Sequence, residues 1–253
     1  MARVKDISDF INSFAPYNTQ CSWDNSGLLI GSAEKQVKKI GLALDLTPET
    51  LEKACESDVD LIVTHHPVIF RAQKSFLEKN IAYEAAIKGM SVISAHTCFD
   101  CAKGGVNDEL CKVLGISNVV SVESEELSVP MVRMGSIKSI PSLDFAKIVS
   151  ERLGTVCRVA DCGNMVSNVA VCGGAGMDFY LDAVNAGADA YVTGDVSHHE
   201  MLLAKEIGVT VIAAGHFETE NPSMKVLGRM IKNQFDDISV VILPQSNPVT
   251  FIG

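Results

Sequence analysis

One short pattern occurs twice in this chain and limits the folds open to it. Asp60-Leu61-Ile62-Val63-Thr64-His65-His66 aligns with Asp189-Ala190-Tyr191-Val192-Thr193-Gly194-Asp195. In both copies an acidic residue precedes an apolar, β-rich run, and polar residues close it. A run without polar alternation reads as a strand covered on both faces, the habit of parallel sheets. Pro67 stops the first copy. The flanks repeat as well. At the same offset Ile40–Leu44 aligns with Val169–Gly173 and Ala54 with Ala183; with a shifted offset Gly89–Ala95 aligns with Gly208–Ala214. Such a duplication predicts an α/β fold built from two similar βαβ-containing halves, with mostly parallel strands and right-handed crossovers. It also gathers polar residues at the carboxyl ends of strands, where open α/β sheets bind ligands. A pseudo-two-fold arrangement would bring both sets of strand ends toward one cleft.

The 253 residues suffice for one large or two small domains. Net charge is −10, and no Lys/Arg cluster is long enough to track a phosphate backbone, which excludes nucleic acid as the main partner. No apolar stretch approaches the length of a membrane span, and the first residues lack a signal-peptide core. The expectation is a soluble, cytoplasmic protein with no membrane partner. The eight cysteines (Cys21, Cys55, Cys98, Cys101, Cys111, Cys157, Cys162, Cys172) are then expected as reduced thiols.

Along the chain, Asp6–Phe14 reads as an amphipathic helix. Strands follow at Leu28–Ile30 and Lys39–Asp45, then a helix capped by Thr47 with Pro48 at its first position. After the strand at 61–64 come a helix near Glu78–Lys88, a strand at Met90–Ala95 and a helix at Asn107–Leu114. The segment Asn118–Asp161 changes character, with strands near Val119–Val122, Met131–Ile137 and Val156–Val159 around a helix near Leu143–Leu153. The later βαβ part runs through strands at Asn168–Cys172, Ala190–Thr193, Val209–Ala213 and Ser239–Leu243. A boundary is expected around Glu123–Pro130. This gives a first α/β domain at 1–125, with a C-terminal return at 235–253, and a second at 126–234.

All six histidines (His65, His66, His96, His198, His199, His216) lie at or just after an expected strand end, as do Asp100, Asp195 and Glu220. His96–Asp100 and His216–Glu220 share a four-residue spacing, which places two side chains on one side of a helical turn. Imidazole with carboxylate is the ligand set of borderline divalent metals such as Zn, Fe, Mn, Co or Ni. Five or six such groups exceed the needs of one four-coordinate ion, so a two-metal site able to activate water is the expectation. His65 and His66 are adjacent. They reach one centre if the chain bends between them, and two centres otherwise. His198 and His199 either face a pocket or sit exposed at a helix start. Cys98 and Cys101 read as small residues flanking Asp100. Gly173-Gly174-Ala175-Gly176 either cradles an anion or permits close helix–strand packing. Trp23-Asp24-Asn25 either lines a pocket or forms a turn sealed by the Trp.

Taken together, these motifs resemble the Nif-three-like family, whose members are labelled GTP cyclohydrolase 1 type 2 homolog. The resemblance rests on Trp23–Leu28, Asp60–Pro67, His96–Asp100 with Gly104–Asp108, Gly173–Gly176, Gly194–His199 and Gly215–Glu220. It implies a two-domain α/β protein with mixed sheets flanked by helices, in the family's short form. It further implies a di-metal site within a ring-shaped homohexamer. The family's metal ligands fall on His65, His66, Asp100, His216 and Glu220. Met177 departs from the small polar residue usual after the glycine motif. The reading that follows is a metal-dependent hydrolase with two divalent ions per chain, acting on a nucleotide or other small metabolite. His96 and His198 are the candidate catalytic proton carriers. Trp23, Asp24, Asn25, Asp195 and His199 are the candidate substrate-binding residues. The alternative is a non-catalytic metal-binding scaffold or regulatory interaction protein.

Overall fold

The structure, a computed structural model, describes residues 1–124, 129–250 and 252. In chain order the elements are α1 (Val4–Phe14), β1 (Gly27–Ile30), β2 (Lys39–Ala43), α2 (Pro48–Glu56), β3 (Leu61–Thr64), α3 (Ile81–Ile87), β4 (Ser91–Ser94), α4 (Thr97–Cys101) and α5 (Val106–Val113). They continue with β5 (Ser117–Val122), β6 (Val132–Pro141), α6 (Ser142–Leu153), β7 (Arg158–Ala160), β8 (Met165–Val171), α7 (Tyr180–Asn185) and β9 (Ala190–Thr193). The last are α8 (His198–Ile207), β10 (Thr210–Ala213), α9 (His216–Glu220), α10 (Pro222–Gln234) and β11 (Ser239–Ile242).

The chain divides into two compact units. One comprises Met1–Lys103 and Met224–Pro248, the other Gly104–Ser223 and Val249–Gly253. The first division thus falls some twenty residues before the expected stretch at Glu123–Pro130, of which 125–128 lie outside the described residues. The reason is strand pairing. β5 pairs with β6, and Asn107 Nδ2 donates to the Met131 carbonyl at 2.9 Å, so Gly104–Val122 belongs to the second unit. The return to the first unit likewise comes at Met224 rather than near 235, because Met224, Leu227 and Ile231 of α10 are buried.

In the first unit the strands lie in the order β1-β4-β3-β2-β11. All pairs are parallel except β1 with β4. β3 is central and buried along its whole length, as expected for an apolar run without alternation. Leu51 and Ala54 of α2 and Ala82 and Ala85 of α3 share one core with Ile62 of β3 and Val92 of β4. The register sets Ala43 beside Thr64 and Thr64 beside Ser94. Leu44-Asp45, His65-His66 and Ala95-His96 therefore leave the sheet side by side.

The second unit has the order β5-β6-β8-β9-β10-β7. Only β8, β9 and β10 run parallel; β5, β6 and β7 pair antiparallel. This departs from the expectation of mostly parallel strands. The physical reason is coverage: β5 is exposed over most of its length and β6 is mixed, and half-covered strands favour antiparallel pairing. Phe145, Val149, Val169, Ala190 and Ile212 form part of its core.

The duplication extends to individual hydrogen bonds. Asp60 Oδ2 accepts from the Lys38 and Lys39 amides at 2.8 and 3.0 Å, and Asp189 Oδ2 from the Ser167 and Asn168 amides at 2.9 and 2.7 Å. The Ala95 amide donates to the Thr64 carbonyl at 2.9 Å, and the Ala214 amide to the Thr193 carbonyl at 2.8 Å. No helix among the described residues is long and apolar enough to cross a membrane.

Candidate metal centre

The tips of β2, β3 and β4 build a three-histidine group in the first unit. The strand alternation that would separate His65 from His66 is broken by a bend. Thr64 Oγ1 and Ser94 Oγ donate to the His66 carbonyl at 2.7 and 3.2 Å and turn it back. Ring centroids are then 5.0 Å apart for His65 and His66, 5.1 Å for His65 and His96, and 5.4 Å for His66 and His96. One ligand atom from each of the three lies within 4.8 Å of the others.

Each ring is oriented through Nδ1. His65 Nδ1 donates to the Ala95 carbonyl at 2.9 Å, His66 Nδ1 to Asp45 Oδ1 at 2.7 Å, and His96 Nδ1 to Asp24 Oδ1 at 2.8 Å. A carbonyl only accepts, so His65 carries its proton on Nδ1 and presents a lone pair at Nε2. That Nε2 stands 3.6 Å from Asp100 Oδ1, both groups being buried. A lone pair facing a carboxylate in a dry setting calls for a cation between them, either a second imidazole proton or a metal ion. Metal-ligating histidines are fixed in this way by an oxygen acceptor on the ring nitrogen away from the metal.

In the second unit, α9 begins at the tip of β10 and carries His216 and Glu220 one turn apart. His216 Nδ1 donates to Asp195 Oδ2 at 2.7 Å, and Nε2 lies 3.2 Å from Glu220 Oε2. Burial alone would lower the His216 pKa, but its hydrogen bonds to Asp195 and Glu220 outweigh that and raise it to about 10. The proton held on Nε2 occupies the position a metal ion would take between imidazole and carboxylate. The hydrogen bond from His216 in turn holds Asp195 below the usual carboxylate range. Gly174, in the left-handed region at φ +62°, makes room for the pair: a Cβ there would meet Glu220 Oε1 and stand 3.0 Å from His216 Nε2.

The glycine run serves packing. The amides of Gly173, Gly174 and Gly176 donate to Asn107 Oδ1, Thr219 Oγ1 and Thr193 Oγ1 at 2.7, 3.0 and 3.1 Å, so they are engaged inside the unit rather than offered to an anion. His198 and His199 occupy the exposed first turn of α8. There the Ser197 hydroxyl lies 2.9 Å from His199 Nδ1, and Ser197 and Glu200 form the helix cap. Asp195 also lines a cleft of about 440 Å³ with Arg158, Met177, Val196, Ser197 and Glu200.

Asp24 acts as a structural hub. Besides His96 it accepts from the Thr97 amide at 3.0 Å, the Thr97 hydroxyl at 2.6 Å and the Asn25 amide at 2.6 Å. Burial would raise its pKa; the bonds from His96, Thr97 and Asn25 hold it well below the usual range instead. Asn25 Nδ2 donates to the Ile69 carbonyl at 2.6 Å and ties this loop to the one after His66. Sequence reasoning missed Asp45, which orients His66 and is itself held by Gln245 Nε2 at 2.5 Å. Its signal was available: it is the acidic residue at the tip of the strand next to β3.

The model of the Duf34/NIF3 (NGG1p interacting factor 3) family matches residues 2–248. A GTP cyclohydrolase 1 type 2 homolog of Clostridium perfringens is 31% identical, over 99% of this chain and 100% of its own length. NIF3-like protein 1 of Drosophila melanogaster is 31% identical, over 83% of this chain and 75% of its own. Among solved structures, Staphylococcus aureus hypothetical protein SA1388 has a TM-score of 0.92 at 26% identity, covering 99% of each chain. Reduced HcgD from Methanocaldococcus jannaschii has a TM-score of 0.83 at 28% identity, covering 96% of this chain and 98% of its own.

Proposed function

The chain belongs to the Duf34/NIF3 family, and from that premise we propose that it is a metal-dependent hydrolase with a dinuclear centre acting on a nucleotide or other small metabolite. His65, His66 and Asp100 of the first unit and His216 and Glu220 of the second are the ligands of two divalent ions, drawn from Zn, Fe, Mn, Co and Ni. The observation that carries this reading is the common orientation of the imidazoles. His65, His66 and His216 each have Nδ1 fixed on an oxygen acceptor, which leaves Nε2 for the ligand role. The name GTP cyclohydrolase 1 type 2 homolog, carried by relatives, supports a nucleotide as the substrate class.

Bound ions supply Lewis acidity and an activated water at neutral pH. The chain's own residues position and move protons. His96, oriented by its Nδ1 contact with Asp24, and His198, on an exposed helix turn, are the candidate proton carriers. Asp195 keeps the His216 ring in register for its ligand role. We further propose a homohexameric ring and a cytoplasmic setting. None of the eight cysteines is in a disulfide, which suits a reducing compartment.

The test is metal content per chain for protein purified without chelator, in wild type and in His66→Ala/Glu220→Ala. About two equivalents of transition metal, lost in the double variant, is the expected result. Formate release from GTP would identify cyclohydrolase chemistry, and phosphate release a phosphoesterase. A folded wild type that stays metal-free after incubation with Zn, Mn or Fe(II) sinks the hydrolase reading and leaves a scaffold role.

A further inference from the structure

Trp23 is the chain's single tryptophan, and 56% of its surface is exposed. Phe70 is 44% exposed. The two rings are neighbours, with centroids 5.7 Å apart and planes at 54°. Both also reach His96, at 5.8 Å from Trp23 and 6.2 Å from Phe70. Two large aromatic rings left in water beside His96 of the three-histidine group form an apolar patch that folding alone does not account for.

The backbone beneath this patch is held firmly. The Cys21 amide donates to Thr97 Oγ1 at 2.9 Å and the Asp24 amide to the Cys21 carbonyl at 2.9 Å, so Trp23 sits within a pinned turn. Ser26 anchors the other side: its amide donates to Gln20 Oε1 at 2.6 Å, and its hydroxyl accepts from the His96 amide at 3.0 Å. On the facing loop, Asn25 fixes the carbonyl of Ile69, the residue before Phe70. Both rings are thus presented from rigid supports at low ordering cost, which is how recognition aromatics are mounted.

From this geometry we infer that Trp23 and Phe70 form a stacking wall for a planar heteroaromatic ring, which sets the class of molecule brought to His96 and its neighbours. The inference deepens the metal-centre reading and rests on it for the direction in which the ligand's reacting part points. The two rings offer a face the size of a purine or similar ring system, and they meet the His96 imidazole along one edge. Its occupant therefore carries a flat apolar face next to a polar group. Trp23 is a substrate-positioning residue in this scheme, and Phe70 is its partner.

Trp23 also reports on the site, because its fluorescence is unshared. Guanosine, adenosine and ribose 5-phosphate are titrated against wild type purified without chelator, with emission as the readout and metal content measured in parallel. Saturable quenching by the nucleosides and none by ribose 5-phosphate is the expected result. Phe70→Leu should weaken that binding about tenfold with metal content unchanged. Phe76→Leu, altering an aromatic 48% exposed on the same loop, should leave it unchanged. Calorimetry with Trp23→Leu should show the nucleoside heat lost. The inference is overturned by the absence of saturable nucleoside quenching, by equal quenching from ribose 5-phosphate, or by indifference to Phe70→Leu. It is also overturned if Trp23 in the ligand-free protein resists acrylamide, since a second copy then covers the wall. Metal content separates this outcome from failure of the metal centre: a metal-free protein that still binds nucleosides keeps the wall and loses the centre.

Discussion

The tips of β4 and β10 start alike and end differently. Each follows a copy of the same strand, each places a histidine at the strand exit, and each continues into a short helix with an acid four residues later. In the second unit the acid pairs with its own histidine, Glu220 Oε2 lying 3.2 Å from His216 Nε2. In the first, Asp100 lies 3.6 Å from His65, a residue of the neighbouring strand tip. The difference comes from the strand beside each tip. β3 ends in His65-His66, whereas its repeat partner β9 ends in Gly194-Asp195, whose carboxylate holds His216. Burial differs accordingly: the Asp24 side chain that fixes His96 is 0% exposed, and the Asp195 side chain that fixes His216 is 60% exposed. One duplicated frame thus yields a more buried, multiply oriented imidazole group in one unit and a simple, more open pair in the other.

The sharpest test of that contrast is removal of the two orienting carboxylates. Asp24→Ala strands donors from His96, Thr97 and Asn25 in the interior and should cost about 3 kcal/mol or more in urea unfolding. Asp195→Ala removes a half-exposed partner and should cost below about 1 kcal/mol. Equal losses would show that the two supports are equivalent and end the distinction. Next in size is Gly174→Ala. It combines a left-handed backbone with a Cβ driven against Glu220 and His216, so about 2 kcal/mol and the second unit's share of bound metal should be lost. Gly89→Ala has a similar φ, +69°, and open space around it. It should cost about 1 kcal/mol and leave metal content untouched.

Much of this was legible in the sequence because it depends on local pattern. The unbroken apolar runs marked β3 and β9, and the histidines followed at their ends. What was not legible depends on pairing across the chain. The antiparallel β5 and β6 look like any short β-rich runs until their pairing is known, so the expected boundary falls around Glu123–Pro130 rather than at Gly104. α4 spans only Thr97–Cys101 and has no periodicity to detect. Asp24 stood out as a pocket candidate, yet its carboxylate is spent on His96 and Thr97. The exposure of Trp23 is likewise a tertiary property, since a turn sealed by a buried Trp would have had the same sequence.

The smallest expected effect tests the duplication at its base. Asp60 and Asp189 are repeat partners, and each accepts two amides from the strand beside it. Asp189 takes one bond more, from the Ser167 hydroxyl at 2.9 Å. Burial would raise the Asp189 pKa, but the amides of Asn168 and Ser167 and that hydroxyl lower it below the ordinary value. A carboxylate depressed in the folded state stabilises at pH above its unfolded pKa of about 4, and the contribution fades as pH falls through the folded value. Asp189→Asn should therefore cost about 1 kcal/mol at neutral pH, and its deficit against wild type should shrink below about pH 4. Asp60→Asn, with one bond fewer at stake, should cost less. Urea midpoints for both variants across that range provide the comparison. A larger loss at Asp60 would mean that the first unit leans on its strand-start clasp more than the second, reversing the ranking that the hydrogen bonds give.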